Sequence, residues 1–319
     1  MRRFSGCLAA AVFFIGLHHD ITAFALEPDE ALELSSQTGK PLLALGTSET
    51  CPPCRALKYH LQFEPSLRAL SEKYVVINMD SNSPEFQSFK RRFPAEVRGV
   101  PMVYVIRPDG AMLYGRSGGM PPEGIQNLLN FGLDESGDPL DSGQQQRFSA
   151  MIATSRRYQQ EGELLKALQV ISAVARHRGY AASVRRAQVL HDSLTDSLRN
   201  RLANFDQKLM DSESMHGAAY RLAELYVGLK EEPQLQESAA AKLIHHEQQE
   251  STRLAIMQGK ELVRARYFEQ RELCKQALSS YERIIQIDKA SPTAQHATKK
   301  IAILAEKQRQ KLAVRTRRS

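Results

Sequence analysis

The sequence has no tryptophan, only four cysteines in 319 residues, and no long apolar run. So few cysteines exclude the class of small secreted scaffolds that are held together by a disulfide framework. The apolar run at residues 7–17 has eleven residues. A helix of that length cannot cross about 30 Å of hydrocarbon at about 1.5 Å per residue. No permanent membrane span is therefore predicted.

The N-terminus instead has the features of a secretory signal peptide. Arg2 and Arg3 precede the apolar run, and Ala-Phe-Ala at residues 23–25 is a small-residue cleavage site. Cys7 begins the apolar run, whereas a lipidated cysteine would follow it, so a lipoprotein is not expected. The pattern predicts a signal peptide at residues 1–25 and an exported mature chain, either periplasmic or extracellular.

Three cysteines remain after this segment, and two of them stand close together in TSETCPPC. Cys51 and Cys54 could be a redox dithiol, half of a zinc site, or a structural disulfide. A zinc site needs a second pair of ligands at suitable spacing. His245 and His246 are adjacent and Cys274 is alone, so neither supplies that pair. The redox dithiol is favoured, and the other two interpretations remain open.

The residues around this motif predict a strand followed by a helix. Residues 41–46 are an apolar run bounded by turn formers, which is typical of a buried strand. A helical pattern begins at Pro52, and we expect Leu57, Leu61 and Phe63 to share its buried side. The dithiol is therefore expected at a strand-to-helix junction.

A junction of this kind suits thiol chemistry. Cys51 would lie at the helix N-terminus, where unpaired N–H groups and the helix dipole favour a thiolate, so we expect it to be the nucleophile. Cys54, one turn further along, would be less exposed and would act as the resolving thiol. The two intervening prolines suit a first helical turn, where their missing N–H groups have no partner to lose.

Further elements follow as far as residue 133. The patterns predict strands at residues 73–80, 102–106 and 111–114 and helices at residues 84–93 and 122–133. Phe86, Phe89 and Phe93 recur at helical spacing and are predicted to be core residues. A Pro-Asp-Gly turn joins the last two strands into a hairpin.

Residues 26–133 resemble the thioredoxin family. The resemblance depends on the Cys-Pro-Pro-Cys motif after a core strand and on Gly99-Val100-Pro101 before the hairpin. It implies an α/β thioredoxin fold, a central mixed sheet flanked by helices. It also implies that Pro101 is cis and lies against the dithiol, and that the Val100 backbone pairs with a substrate chain. The first helix is similar to that of secreted domains of the type found at the C-terminus of the electron-transfer protein DsbD.

Two substitutions depart from the family pattern. Thr50 replaces the tryptophan before the first cysteine, and Leu45 replaces a buried acid six residues before it. The proton acceptor would then be Glu49, Lys58 or bulk water, and the first two are candidate modulators of thiol pKa. No metal or organic cofactor is expected. The expected partners are protein thiols or disulfides and a redox partner that reduces or reoxidises the dithiol.

The rest of the chain is rich in helix formers. Residues 134–146 are predicted to be a linker, residues 147–312 an all-α helical-repeat region, and residues 313–319 a basic tail. Segments 158–174, 217–229 and 277–294 resemble degenerate tetratricopeptide repeats. A generic helical bundle is the alternative. In either case the region offers surface for a protein partner, and Cys274 is expected to be a small buried helix residue.

Two function classes follow from these patterns. The first is an exported thiol–disulfide oxidoreductase whose helical region docks partners. The second is a non-catalytic scaffold or binding protein that retains the fold for protein contact. The formal net charge is +7, but no nucleic-acid-reading motif accompanies it, and no nucleic-acid partner is predicted.

Overall fold

A computed structural model describes residues 26–96 and 98–316. The predicted signal peptide and the last three residues of the predicted basic tail lie outside the described residues. The chain divides into two compact units, one ending at Pro139 and one beginning at Leu140. Within the described residues, no helix has both the length and the apolar character that crossing a bilayer requires.

The N-terminal unit is built on a four-stranded mixed sheet with the order β2-β1-β3-β4. Its strands are β1 Leu42–Thr47, β2 Val75–Asp80, β3 Met102–Ile106 and β4 Met112–Ser117. β1 is parallel to β2 and antiparallel to β3, which is antiparallel to β4. The end of β1, the start of β3 and the end of β4 therefore lie next to one another at the same end of the sheet.

Five helices flank this sheet, as the predicted fold class requires. They are α1 Pro28–Thr38, α2 Pro52–Phe63, α3 Pro65–Ser71, α4 Pro84–Arg92 and α5 Pro122–Ser136. Each begins at a proline, whose fixed φ suits a first helical position. The sequence patterns did not predict α1. The helical pattern that begins at Pro52 ends at Phe63, and a separate helix, α3, begins at Pro65.

Apolar side chains cover both faces of the sheet. One face packs Phe86, Phe89 and Phe93 against Tyr104, so these three phenylalanines are core residues as predicted. The other face packs Leu57 and Leu61 of α2 and Ile125, Leu128 and Leu129 of α5. Alternate residues of β3 supply the two faces, as the two-residue period of a strand dictates.

Phe63 was wrongly predicted to be buried. Its side chain is 65% exposed, while Leu57 and Leu61 are buried. Phe63 lies two residues beyond Leu61, about 200° around a helix with about 3.6 residues per turn, so it points away from the sheet. It packs instead on Tyr59, with ring centroids 5.0 Å apart.

The C-terminal unit is entirely helical in its described residues. Its helices are α6 Ser142–Gln160, α7 Leu164–Ala175, α8 Ala182–Ala203, α9 Phe205–Met210, α10 Met215–Gly228, α11 Pro233–Gln248, α12 Glu250–Gln270, α13 Cys274–Ile287 and α14 Pro292–Thr316. The segment between α5 and α6 is residues 137–141, so both helices extend into the predicted linker. Asp141 starts α6 with a capping box, exchanging hydrogen bonds with Gln144.

Two hairpins in this unit, α6–α7 and α12–α13, have the same turn. Gly162 and Glu272 occupy it with φ values of 77° and 56°. In each turn the next residue donates its N–H to the carbonyl five residues earlier, at 2.9 Å. This left-handed residue with a 6→1 bond is the Schellman geometry of a helix end.

The helices that follow these turns also bury matching positions. Relative to its first residue, each buries a small residue three positions on and large residues seven and ten positions on. These are Ala167, Ile171 and Val174 in α7, and Ala277, Tyr281 and Ile284 in α13. The second hairpin therefore repeats the first in turn and packing.

Candidate redox site

The dithiol lies where the sequence placed it, at the start of α2. Cys51 and Cys54 form a disulfide. Cys51 is the N-cap residue, and its Sγ accepts the N–H of Cys54 at 3.2 Å. The sulfur thus occupies the place of a capping oxygen, satisfying one of the unpaired N–H groups of the first turn. A thiolate on Cys51 would receive the same N–H, which favours its charge.

The two cysteine residues differ in exposure to solvent. Cys51 is 9% exposed, whereas Cys54 is 1% exposed. An incoming sulfur can therefore reach the first cysteine of the pair before the second. The arrangement suits Cys51 as the attacking thiol and Cys54 as the resolving thiol, the roles that the sequence suggested.

Polar contacts hold the loop between β1 and α2. The buried hydroxyl of Thr47, the last residue of β1, donates to the side-chain oxygen of Asn78 at 2.7 Å. The Cys51 N–H donates to the Ser48 carbonyl at 3.3 Å, and Arg55 donates to the Glu49 carbonyl at 3.2 Å. These contacts join the loop to the sheet and to α2, so the N-cap cysteine has a defined position.

Pro101 lies just before β3, at the same end of the sheet as Cys51. The Val100–Pro101 peptide bond is cis. The N–H of Gly118 donates to the Pro101 carbonyl at 2.9 Å. A methyl group added at the neighbouring Gly119 would meet Cβ of Pro53 at 3.5 Å. The structure thus links the Pro101 segment through the loop after β4 to the prolines between the two cysteines.

Hydrogen bonds that the sequence analysis did not predict hold the backbone just before Val100 and Pro101. The Ser117 hydroxyl donates to the Arg98 carbonyl at 2.8 Å and accepts the Arg98 N–H at 2.9 Å. One side chain at the end of β4 therefore satisfies both backbone groups of a residue two positions before Val100. No local sequence pattern indicates this contact, because the partners are 19 residues apart.

The position of the family's buried acid has apolar surroundings in this chain. Leu45, which replaces the family's buried acid, has no exposed surface. It lines a small pocket with other apolar side chains: Leu43, Leu57, Leu61, Val103, Met120, Ile125, Leu128 and Leu129. None of these side chains can accept a proton. A proton leaving Cys54 must therefore go to another acceptor.

The remaining site residues from the sequence analysis lie around the rim. Glu49 and Thr50 are exposed in the loop, and Lys58 is half-buried on α2. Among the described residues, the side chains of Glu49 and Lys58 have no hydrogen-bond or ion-pair partner. Cys274, expected to be buried, is a partly exposed free thiol at the first residue of α13.

Comparison with known families agrees with this geometry. Residues 28–133 match the family model of a thioredoxin-like domain. This part of the chain is a thioredoxin-like domain. The match spans α1 to α5 and includes both cysteines and Pro101, but it does not reach the helical unit. A comparison with curated proteins finds no match to the chain.

Proposed function

We propose that the protein is an exported thiol–disulfide oxidoreductase acting on protein substrates. The observation that carries the proposal is the position of the Cys51–Cys54 pair in the thioredoxin-like domain. The sulfur of Cys51, the more exposed cysteine of the pair, caps α2 and accepts a backbone N–H. Export is proposed from the signal-peptide pattern of residues 1–25. It predicts that protein from an exporting host has lost these residues, which N-terminal sequencing would show.

The proposed reaction is a two-electron exchange. The Cys51 thiolate attacks one sulfur of a substrate disulfide, forming a mixed disulfide and releasing the other substrate sulfur as a thiolate that takes a proton. Cys54 then loses its proton and attacks Sγ of Cys51, which releases the second substrate thiolate. The substrate disulfide is reduced and the Cys51–Cys54 pair is oxidised. The reverse sequence oxidises a substrate dithiol.

The substrate is proposed to bind as an extended chain along Val100 and Pro101. The start of β3 and the N-terminus of α2, which Cys51 caps, lie at the same end of the sheet. Ser117 holds the backbone of Arg98, two residues before Val100. Backbone hydrogen bonds between an extended substrate chain and the segment before β3 would give affinity without requiring particular side chains. Glu49, Lys58 and bulk solvent are the proposed routes for the proton of Cys54.

Insulin reduction in the presence of dithiothreitol tests the catalytic claim. We expect the wild-type protein to accelerate precipitation of the reduced insulin chain and Cys51→Ser to abolish the acceleration. Cys274→Ser is the matched control, because it removes a thiol outside the proposed site. Cys54→Ala should retain partners as mixed disulfides with Cys51, and mass spectrometry of these adducts names the substrates.

A second function, a non-catalytic scaffold, is favoured by one observation only. The pocket that Leu45 lines contains no proton acceptor. Under this function the Cys51→Ser variant would match the wild-type protein in insulin reduction, and Cys54→Ala would trap no adducts. In either function, docking of a protein partner is proposed for the helical unit. The duplicated α6–α7 and α12–α13 hairpins support its interpretation as tetratricopeptide-like.

A further inference from the structure

A group of cationic side chains lies where α10, α12 and α14 meet in the helical unit. Arg266 of α12 lies over the ring of Tyr220, 4.5 Å from its centroid, and donates to the Tyr220 hydroxyl at 2.7 Å. That hydroxyl donates in turn to Glu224 at 2.6 Å. The guanidinium is therefore held in a fixed orientation, yet it forms no ion pair with a carboxylate in the described part of the chain.

His296 of α14 lies beside this arginine and has an unsatisfied polar atom. Its Nε2 is buried and has no hydrogen-bond partner within the described residues. Burial, together with the charges of Arg266 and Lys300, lowers the pKa of His296, so the imidazole is neutral at pH 7. A buried polar atom without a partner is uncommon in folded proteins and calls for a ligand, a water or a functional role.

Among the described residues, two carboxylates lie near these cations, and both are already hydrogen-bonded. Glu224 accepts from the Tyr220 hydroxyl. Glu269 accepts hydrogen bonds from Lys300 at 3.0 Å and from the Tyr281 hydroxyl at 2.8 Å. In the described part of the chain, neither carboxylate forms an ion pair with Arg266 or with the exposed Lys299, whose charge acts on His296 as well. We call Arg266, His296, Lys299 and Lys300 the cationic face.

Positive charge also predominates in the helical unit as a whole. Residues 26–139 contain 11 Lys or Arg and 15 Asp or Glu, whereas residues 140–319 contain 30 and 20. The N-terminal unit therefore has an excess of 15 − 11 = 4 negative charges, whereas the helical unit has an excess of 30 − 20 = 10 positive charges. Such a surface attracts anionic partners over a range set by the salt concentration.

We propose that the cationic face binds the carboxylate side chains of an acidic peptide segment from a partner protein. The planar guanidinium of Arg266, oriented by Tyr220, can receive a carboxylate with two parallel hydrogen bonds. Lys299, which is exposed, and Lys300 supply further positive charge. Ile303, 49% exposed and one turn beyond Lys299 and Lys300 on α14, offers a contact for an apolar residue of the same segment.

Fluorescence anisotropy with a short labelled peptide, rich in glutamate and containing one leucine, tests this site on the full protein. We expect saturable binding that weakens as salt is added. Arg266→Gln should weaken binding about tenfold, because it removes a charge-assisted pair. His296→Gln should weaken it less. Arg147→Gln on α6 is the charge-matched control, since Arg147 is exposed and distant in sequence, and it should leave the affinity unchanged.

Three outcomes would overturn the proposal: no saturable binding at low salt, equal losses for Arg266→Gln and Arg147→Gln, or undiminished binding of a peptide with glutamine in place of glutamate. A polyphosphate competitor addresses the other source of anions. If it binds through Arg266 more tightly than the peptide, the assignment to an acidic peptide is wrong. Thermal melts of each variant separate these results from unfolding, and Cys51→Ser should bind the peptide normally.

Discussion

Gly259 of α12 lies against the backbone of Ala219 of α10. A methyl group added at Gly259 would fall 2.7 Å from the Ala219 carbonyl carbon and 2.8 Å from its oxygen. Both neighbours are backbone atoms, which cannot move aside as the end of a side chain can. The absence of a side chain at Gly259 therefore sets how closely these two helices approach.

Gly259→Ala should destabilise the helical unit by about 1–3 kcal/mol, because the helices must separate to admit the methyl group. The matched control is Gly217→Ala on α10, where no atom lies within 4 Å of the added methyl group. That substitution should stabilise the protein by up to about 1 kcal/mol through helix propensity. Urea unfolding followed by circular dichroism measures both. Equal effects at the two sites would contradict the close approach.

Two tyrosines of the thioredoxin-like domain should respond oppositely to loss of the hydroxyl. Tyr104 is fully buried, and its hydroxyl has no partner in the described structure, whereas the Tyr74 hydroxyl donates to the Leu129 carbonyl. Tyr104→Phe should leave stability unchanged or raise it, and Tyr74→Phe should cost about 1 kcal/mol or more. Equilibrium unfolding of the two variants gives the comparison. A clear loss with Tyr104→Phe would show that its hydroxyl is bonded after all.

The shared turn of the two hairpins makes a prediction about backbone strain. Gly162 occupies the left-handed region without cost, but Glu272 carries a side chain there. Gly162→Ala should destabilise by about 1 kcal/mol, the usual cost of a left-handed non-glycine residue. Glu272→Gly should leave the stability of the protein unchanged or raise it, because glycine adopts a positive φ without that cost. Melting temperatures of both variants test this, and a stabilising Gly162→Ala would refute the common geometry.

The stability of the cationic face should depend on pH through Glu269. Burial alone would raise its pKa, but hydrogen bonds from Lys300 and Tyr281 and the charge of Lys300 hold the pKa of Glu269 below its ordinary value. The ionised form is thus favoured in the folded state, so its stabilisation is complete above the unfolded pKa and is lost as pH falls through the folded pKa.

Glu269→Gln therefore has a signature that a simple packing defect lacks. At neutral pH the variant should have a lower melting temperature than the wild-type protein, because Lys300 loses its ion-pair partner. The difference should shrink as pH falls below the ordinary glutamate range, where the wild-type carboxyl is also protonated. Melting curves across this range measure the difference. A gap independent of pH would mean that the charge of Glu269 does not contribute.

Much of the thioredoxin-like domain followed from local patterns. β3 has the predicted limits, and the three phenylalanines of the α4 region are buried as the helical spacing indicated. Local patterns failed at two elements, α1 and α2. α1 has few apolar residues, so its period is faint. Phe63 was placed on the wrong side of α2, although helix geometry alone puts it opposite Leu61.

The sequence by itself determined the positions of the dithiol, the strand-to-helix junction that presents it, and the helical character of the second unit, because these depend on residue type and short-range period. Only the tertiary structure decided the link from Ser117 to Arg98, the closure of an apolar pocket around Leu45, and the grouping of Arg266 with His296. Each of these joins residues far apart in the chain. Local propensity has no information about such contacts, which exist only once the helices and strands have packed.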